Sequence, residues 1–287
     1  MPIARYAAGE EARLGVVRGE QVFPLDLGPR PGAGVEALFD LGPEAVAAAV
    51  AAATADPLAL DEVRLLAPVP RPSKIFGVGL NYAQHIAELD MQRTDTPTVF
   101  AKFPSSVTGP GAPIYRPRIS VEVDYEVELC VVIGKPVRNV PVERAMAAIG
   151  GYMILDDVSV RDWQFRTRQW SLGKSFDSHC PIGPWLTLAD EVDPADLSIR
   201  TWVNDELRQD ARTSALIFDC AELVAHLSRF CTLFPGDLIA TGTPSGVAAG
   251  MDPPAWLVPG DEVRMEIEGL GTLVNPVVEE PDDLGRG

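Results

Sequence analysis

The stretch Val121-Glu122-Val123-Asp124-Tyr125-Glu126-Val127-Glu128-Leu129 alternates apolar or aromatic side chains with acidic ones. A period of two is typical of a β-strand that is buried on one face. The next five residues, Cys130-Val131-Val132-Ile133-Gly134, are apolar throughout, as in a strand buried on both faces. We therefore predict a single strand whose carboxylates at positions 122, 124, 126 and 128 share one face.

Glu126 and Glu128 lie where the polar face of this strand runs into the apolar half. Carboxylates at such a boundary are unfavourable unless a cation or hydrogen-bond donors compensate them. An acidic ladder considered alone is more often a solvated strand face. A functional role for Glu126 and Glu128 therefore depends on motifs elsewhere in the chain.

Length and composition describe an ordinary globular protein. The chain has 287 residues, of which 46% are hydrophobic and 23% charged, enough for one large domain and a smaller one. The formal net charge of −17 argues against binding nucleic acid through its phosphates. The first residues lack the apolar core of a signal peptide, and no run approaches the roughly 18 apolar residues of a membrane span. We therefore expect a cytoplasmic protein with no membrane partner.

Three closely spaced prolines, Pro68, Pro70 and Pro72, mark the predicted domain boundary. Before them, strands are predicted over residues 3–6, 13–17 and 21–24, and an alanine-rich helix over residues 43–55. After them, strand signals dominate, with hairpins over residues 198–210 and 262–277. We predict an α+β, β-rich fold in which residues 1–70 form a small N-terminal α/β domain and residues 71–287 form the larger domain.

A short helix is predicted over residues 82–89, with Asn81 as its N-cap. His85 and Glu88 are three residues apart on this helix, so the carboxylate can orient the imidazole and stabilise its cation. Such a pair can act as a general base, although a surface ion pair explains the local sequence equally well. The preceding Gly77-Val78-Gly79 is not a dinucleotide-binding loop, because Tyr82 stands where a third glycine is required.

Polar side chains also cluster after the predicted strand over residues 152–155. Asp157 follows the end of this strand, and Arg161, Gln164 and Lys174 come in the turns beyond it. Carboxylates at a strand end beside cationic and amide side chains are typical of an active site, although Asp157 could instead cap a helix. Further on, the tight loop Gly242-Thr243-Pro244-Ser245-Gly246 offers hydroxyls and amides to an anion, and it does not match the G-x-S-x-G motif of serine hydrolases.

Taken in order, these motifs resemble the fumarylacetoacetate hydrolase family over about residues 74–277. The motifs that carry the resemblance are Gly79-Leu80-Asn81-Tyr82 with His85 and Glu88, Lys102-Phe103-Pro104-Ser105-Ser106, Asp124-Tyr125-Glu126-Val127-Glu128-Leu129, Gly150-Gly151-Tyr152 leading to Asp157, Arg161-Asp162-Trp163-Gln164, Gly173-Lys174-Ser175-Phe176-Asp177 and Gly242-Thr243-Pro244-Ser245-Gly246. The N-terminal part is similar to that of the longer bacterial members.

The resemblance implies a mixed β-sandwich or β-roll catalytic domain, a homodimer, and a divalent metal held by Glu126, Glu128 and Asp157. Three carboxylates without thiolate or imidazole form a hard oxygen site suited to Mg²⁺ or Mn²⁺, with Ca²⁺ also possible. Glu122 and Asp124 are then expected to remain on the solvated part of the strand face.

The function implied by the resemblance is a metal-dependent hydrolase that cleaves a carbon–carbon bond in a 2,4-dioxo acid of the acylpyruvate or fumarylpyruvate type, by way of a metal-stabilised enolate, in aromatic catabolism. The expected catalytic residues are His85, Glu88 and Lys174, and the expected substrate contacts are Arg161, Gln164, Thr243 and Lys102.

Three alternatives stay open. The first is decarboxylation or isomerisation of a 2-oxo acid, and the second is dehydration of one, since both use the same metal–enolate chemistry. The 2-oxo acid could be oxaloacetate, 2-hydroxyhepta-2,4-diene-1,7-dioate or a 2-oxo-3-deoxy sugar acid. A catalytically inactive homologue that only binds a metal or ligand is the third.

Overall fold

The computed structural model describes residues 1–9, 11–26 and 33–282, so part of each predicted domain lies outside the described residues. The strands are β1 (Ile3–Ala8), β2 (Glu11–Arg18), β3 (Gln21–Pro24), β4 (Leu58–Ala59), β5 (Arg64–Leu66), β6 (Ile75–Gly79), β7 (Thr98–Lys102), β8 (Val107–Thr108), β9 (Ile114–Arg116), β10 (Val123–Asp124), β11 (Val127–Ile133), β12 (Ile149–Asp156), β13 (Ser159–Val160), β14 (Cys180–Leu188), β15 (Ser198–Val203), β16 (Glu206–Arg212), β17 (Leu238–Ala240), β18 (Glu262–Ile267) and β19 (Gly271–Glu279). The helices are α1 (Pro43–Ala52), α2 (Ala83–Glu88), α3 (Val142–Ala145), α4 (Arg161–Gln164) and α5 (Cys220–Phe230). None of the helices in the described ranges is long and apolar enough to cross a membrane.

Two large sheets and one short ribbon organise the described chain. The larger sheet runs in the order β4-β3-β2-β1-β14-β12-β11-β17-β6-β7, with β5 added beside β1 and β8 beside β14. The second sheet runs β16-β15-β18-β19-β9, and β10 pairs with β13 in the ribbon. Strands thus dominate over short helices, and the prediction of a β-rich α+β fold is confirmed.

The main core lies between the two sheets. Leu129, Val131 and Ile154 from the larger sheet belong to the same buried cluster as Met265 and Leu273 from the second sheet. Helix α5 contributes its apolar face to this cluster, and its N-terminus is fixed by the capping box between Asp219 and Glu222. The strands that bear functional side chains are therefore held by packing on both of their faces.

The N-terminal strands extend the larger sheet instead of forming a sheet of their own. Strand β1 pairs with β14 through Ile3 and Leu186. Ile3 and Val50 pack in one buried cluster with Met153 and Leu186. The first 66 residues and the rest of the described chain therefore share both a sheet and a core.

The acidic stretch is not one continuous strand. Strand β10 ends at Asp124 and β11 begins at Val127, and the two belong to different sheets. β10 pairs with β13, whereas β11 lies between β12 and β17. The prediction of an uninterrupted ladder of carboxylates was wrong, because the chain changes partners at Tyr125 and Glu126.

Candidate active site and metal centre

Three carboxylates meet where β11 and β12 lie side by side. Glu128 is in β11, Glu126 immediately precedes that strand, and Asp157 immediately follows β12. The antiparallel register and a hydrogen bond from the Asp157 amide to the Glu126 carbonyl (2.9 Å) align the two ends. One oxygen from each side chain lies within 4.8 Å of the other two, and all three residues are buried.

The donor set fits a hard divalent cation. Burial, together with the neighbouring charges of Asp157 and Glu126, raises the pKa of Glu128 well above its ordinary value. The carboxylate of Glu128 is only 2% exposed, and the Gly242 amide donates to it at 2.7 Å. A buried anion with so little compensation, facing two further carboxylates, is the arrangement that a cation such as Mg²⁺ or Mn²⁺ would stabilise.

Two protonated side chains border the same carboxylates. The ammonium of Lys174 donates to Glu126 Oε2 at 2.6 Å and to Asp157 Oδ2 at 2.7 Å, and Arg161 lies 2.7 Å from Glu126 Oε1. Burial would raise the pKa of Glu126, but Lys174 and Arg161 outweigh it and hold that pKa well below its usual range. Burial acts against the charged form of Lys174, yet the two carboxylates raise its pKa above the ordinary value. Glu126 is therefore a permanent anion.

The predicted histidine–glutamate pair faces these groups. On α2, His85 Nδ1 lies 3.1 Å from Glu88 Oε2, and the Gly246 amide donates to Glu88 Oε1 at 2.8 Å. A carboxylate can only accept here, so Nδ1 carries a hydrogen and Nε2 is left to accept a proton. His85 is buried, and it lines the same pocket as Glu126 and Glu128.

Asp124 corrects the prediction of a solvated acid. Its side chain is fully buried and accepts from the Ala248 amide at 2.7 Å and the Ala249 amide at 3.0 Å. Its second oxygen also accepts from Arg161 Nε at 2.8 Å. Arg161 in turn donates to Gln164 Oε1 at 3.0 Å, which orients the amide toward the pocket that both residues line. The charged carboxylate of Asp124 thus holds Arg161 in place.

Two predicted substrate contacts lie in different surroundings. Thr243 lines the pocket, and its Oγ1 accepts from Gln209 Nε2 at 2.8 Å. Lys102 is fully buried behind Asp157, to which its ammonium donates at 2.6 Å, and it also contacts the Lys174 carbonyl. Lys102 is not one of the described residues that line the pocket.

The structural roles of two side chains were not predicted from the sequence. Asn81, predicted to cap α2, makes no capping bond there; its amide donates to the carbonyls of Phe218 (2.9 Å) and Thr241 (2.7 Å). Gln209 on β16 donates to Pro244 (2.8 Å) as well as Thr243, and its carbonyl accepts from the Val127 amide at 3.2 Å. Both residues connect segments that are far apart in the sequence, so no local pattern marked them.

The outer part of the pocket is apolar. Beyond the charged groups, its lining consists of the side chains Leu80, Leu89, Met91, Phe100, Phe165 and Trp170. The pocket therefore has a polar inner end at the carboxylates and an apolar outer end, a combination that is usual in sites for small molecules.

Comparison with known proteins identifies the relatives of this chain. The family model described as fumarylacetoacetate (FAA) hydrolase C-terminal matches residues 74–278, and one described as Rv2993c-like, N-terminal, matches residues 1–68. The mitochondrial oxaloacetate tautomerase Fahd2a of Rattus norvegicus is 47% identical over 219 residues, which is 76% of this chain and 70% of that protein.

Two solved structures cover nearly the whole chain. The fumarylacetoacetate hydrolase of Exiguobacterium antarcticum is 37% identical with a TM-score of 0.85, over 98% of this chain and 100% of that one. Maleylpyruvate hydrolase from Sphingobium sp. SYK-6, solved with a manganese(II) ion and pyruvate, is 35% identical with a TM-score of 0.83 over the same shares. The chain belongs to the fumarylacetoacetate hydrolase family.

Proposed function

We propose that this chain is a divalent-metal-dependent hydrolase that cleaves a carbon–carbon bond in a 2,4-dioxo acid of the acylpyruvate or fumarylpyruvate type. The observation that supports this most directly is that His85, which is paired with Glu88, lines the same pocket as the buried carboxylates of Glu126 and Glu128. A base beside a hard-cation site suits the addition of water to a carbonyl close to a 2-oxo acid.

Glu126, Glu128 and Asp157 are the proposed ligands of Mg²⁺ or Mn²⁺, and their oxygen donors also accept Ca²⁺. A cation held there supplies Lewis acidity to the 2-oxo end of the substrate. Lys174, which donates to two of these carboxylates, is the proposed donor to an oxyanion that develops nearby. Lys102 is proposed to act through Asp157, since its ammonium bonds that carboxylate from behind the pocket.

The proposed reaction consumes one water and yields pyruvate and a carboxylic acid. His85 accepts a proton from the water through Nε2, and Glu88 stabilises the imidazolium from the Nδ1 side. The water oxygen bonds to the distal carbonyl carbon, the bond between carbons 3 and 4 breaks, and carbon 3 keeps the electron pair. Carbon 3 then takes up the proton, which completes pyruvate.

Arg161, Gln164 and Thr243 are the proposed contacts for the substrate carboxylate and carbonyl oxygens. All three line the pocket beside the carboxylates. The guanidinium and the amide offer directed N–H donors, and the Thr243 hydroxyl accepts from Gln209 and so has its own hydrogen free to donate.

A second candidate is tautomerisation or another proton-transfer reaction of a 2-oxo acid such as oxaloacetate. It is favoured by the 47% identity to the rat oxaloacetate tautomerase. The same His85 would then carry a proton between carbon 3 and an oxygen, without water addition. Decarboxylation belongs to the same class and needs no activated water.

The test is a panel of 2,4-dioxo acids, oxaloacetate and 2-oxo-3-deoxy sugar acids assayed with Mg²⁺ and with Mn²⁺. We expect a 2,4-dioxo acid to be hydrolysed and chelation to abolish turnover reversibly. His85→Ala should lower hydrolysis by about 10²- to 10⁴-fold. Glu128→Gln should lower both turnover and the bound metal, measured by calorimetry. Glu122→Gln, on a half-buried acid of the same stretch, is the matched control.

Turnover that ignores the chelator, or that survives Glu128→Gln, would remove the metal assignment. If oxaloacetate is tautomerised and no 2,4-dioxo acid is cleaved, the second candidate replaces the first. Equal loss of hydrolysis and decarboxylation in His85→Ala would contradict the role of His85 in activating water.

We also propose a cytoplasmic homodimer that acts on a small-molecule substrate, with domains at residues 1–70 and 71–287. The 2-oxo acid relatives support the substrate class. The dimer rests on the family resemblance alone, and the location rests on the expectation drawn from the sequence. Sedimentation velocity tests the dimer: a single species at the mass of one chain would contradict it.

A further inference from the structure

The outer half of the pocket is built around two aromatic rings. Phe100 on β7 and Trp170 in the loop after α4 lie with ring centroids 5.7 Å apart and planes tilted by 57°. The two rings form an aromatic wall of the pocket. The Lys174 ammonium is 5.0 Å from the Phe100 centroid, so this wall lies directly beside the charged groups. Both rings are half-buried and line the pocket.

Two glycines of β6 make room for this wall. A Cβ atom on Gly77 would lie 2.2 Å from the Phe100 ring, and one on Gly79 would lie 2.4 Å from Trp170. Any other residue would displace the rings, because real Cβ contacts are not that short. The Gly77-Val78-Gly79 motif does not match a nucleotide-binding loop. Its two glycines instead leave space for the two aromatic rings.

The charges of the pocket are all at its inner end. Among the described residues that line it, the side chains that are always cationic are Arg161 and Lys174, and both are already paired with carboxylates. A substrate carboxylate at the outer end would lose water against Phe100 and Trp170 and meet no uncommitted cation there. An alkyl or aryl group at that position would gain from burial.

We propose that the pocket selects 2-oxo acids with an apolar tail over dicarboxylic ones, and that Phe100 and Trp170, seated by Gly77 and Gly79, determine this specificity. The proposal rests on the proposed function for its orientation, which places the 2-oxo end at Glu126, Glu128 and Asp157. The preferred hydrolysis substrate is then an acylpyruvate with an alkyl or aryl acyl group.

The experiment compares kcat/KM for 2,4-dioxopentanoate, 2,4-dioxooctanoate and 2,4-dioxooctanedioate, the last two matched in chain length. Each buried methylene is expected to raise kcat/KM up to about fourfold, so the octanoate should exceed the pentanoate by about tenfold or more. The octanoate should exceed the dioate by about tenfold or more as well.

Variants distinguish an effect of the aromatic wall on specificity from an effect on folding. Trp170→Ala and Gly79→Ala should each lower the octanoate-to-dioate ratio by about tenfold. Met91→Arg places a cation at the outer end and should move the preference toward the dioate. Phe230→Ala, on a 75% exposed side chain of α5, is the control and should leave the ratio unchanged. Thermal unfolding verifies that each variant is folded.

A wild-type preference for the dioate, or an unchanged ratio in both Trp170→Ala and Met91→Arg, would overturn the specificity proposal. If no 2,4-dioxo acid is cleaved, the proposed function fails separately. The specificity is then decided by calorimetric Kd values of 2-oxooctanoate and 2-oxooctanedioate in the presence of Mn²⁺. Equal or tighter binding of the dioate would overturn it.

Discussion

Asp124 belongs to the side chains that hold the pocket without lining it. It is fully buried, its Oδ1 also accepts from the Tyr125 amide at 2.9 Å, and its Oδ2 meets Arg161. The pKa of Arg161 is raised despite burial, because Asp124 and Glu126 stabilise its charge. Arg161 therefore depends on Asp124 for its orientation in the pocket.

Asp124→Asn keeps the shape and the acceptor oxygen but removes the charge that faces Arg161. Breaking a buried ion pair from one side destabilises a protein by about 3 kcal/mol, so we expect a loss of that order in the free energy of unfolding. KM should rise more than kcat falls, since Arg161 is the proposed contact for the substrate carboxylate. Urea unfolding and steady-state kinetics measure both effects, with Glu122→Gln as control. An unchanged KM would contradict the positioning role.

His179 predicts a specific pH dependence of stability. It is fully buried, its Nε2 donates to the Tyr115 carbonyl at 2.8 Å, and burial lowers its pKa to about 3. His179 therefore binds a proton near pH 6.5 in the unfolded chain but only near pH 3 in the folded chain. The free energy of unfolding is therefore unaffected by the titration of His179 above pH 6.5, and it falls by about 1.4 kcal/mol per pH unit as the pH drops below that value.

His179→Gln should remove this decline. The difference in unfolding free energy between wild type and His179→Gln, measured by urea titration from pH 8 to pH 4, is expected to be constant above about pH 7 and to shift in favour of the variant below about pH 6. A difference that does not vary with pH would show that His179 is not a buried neutral imidazole.

At this scale, the sequence identified the residues whose partners are nearby or whose motif is shared by a family. Glu88 is three residues from His85, and the pair was visible from helical spacing. Asp124 and Asn81 were misjudged because their partners are remote: Ala248 is 124 residues from Asp124, and Phe218 is 137 residues from Asn81. A remote partner leaves no periodic signal.

Hairpin β15–β16 is the element that supports the loop bearing Thr243. Gln209, fully buried on β16, connects β11 to the loop that bears Thr243 through three hydrogen bonds, and it accepts a fourth from Thr201 on β15 at 2.9 Å. The hairpin therefore controls the orientation of the Thr243 hydroxyl from outside the pocket.

Gln209→Met should leave these groups unsatisfied at nearly constant volume. We expect a loss of about 2 kcal/mol or more in unfolding free energy and a rise in KM, because the Thr243 hydroxyl loses its fixed donor. Asp210→Asn, on a half-exposed neighbour that pairs with Arg200, is the control. The measurements are thermal unfolding and KM; a stability loss without a rise in KM would limit Gln209 to a structural role.

Elements with a clear local signature were predicted well. Strand β3 and the hairpin β18–β19 occur where the pattern indicated them. Strand β14 was missed because Pro181, Gly183 and Pro184 interrupt its pattern. Its position is set by its neighbours β12 and β1, and a single strand's sequence does not report them.

The whole molecule depends on the contact between the first 66 residues and β14. Removing residues 1–70 would expose the β14 edge and the core that contains Met153 and Leu186. Open strand edges and large apolar surfaces cause aggregation. We expect the 71–287 fragment to be insoluble or to unfold without cooperativity, as measured by size-exclusion chromatography and thermal unfolding.

Co-expression of 1–70 with 71–287 is the control and should restore a soluble complex. A soluble 71–287 fragment that unfolds like the full chain would contradict this prediction. The prolines indicated where the chain could be divided, but they carried no information on whether the two parts share a core.

The two ends of the pocket are held by different parts of the fold. Glu128 lies on the central strand β11, and Glu126 and Asp157 directly flank β11 and β12, whereas Phe100 lies on the outermost strand of its sheet and Trp170 in a loop. Mutations at the wall thus disturb little of the core. Under the proposed function, we expect a library randomised at positions 91, 165 and 170 to change which tails are accepted while Glu126, Glu128 and Asp157 keep their arrangement.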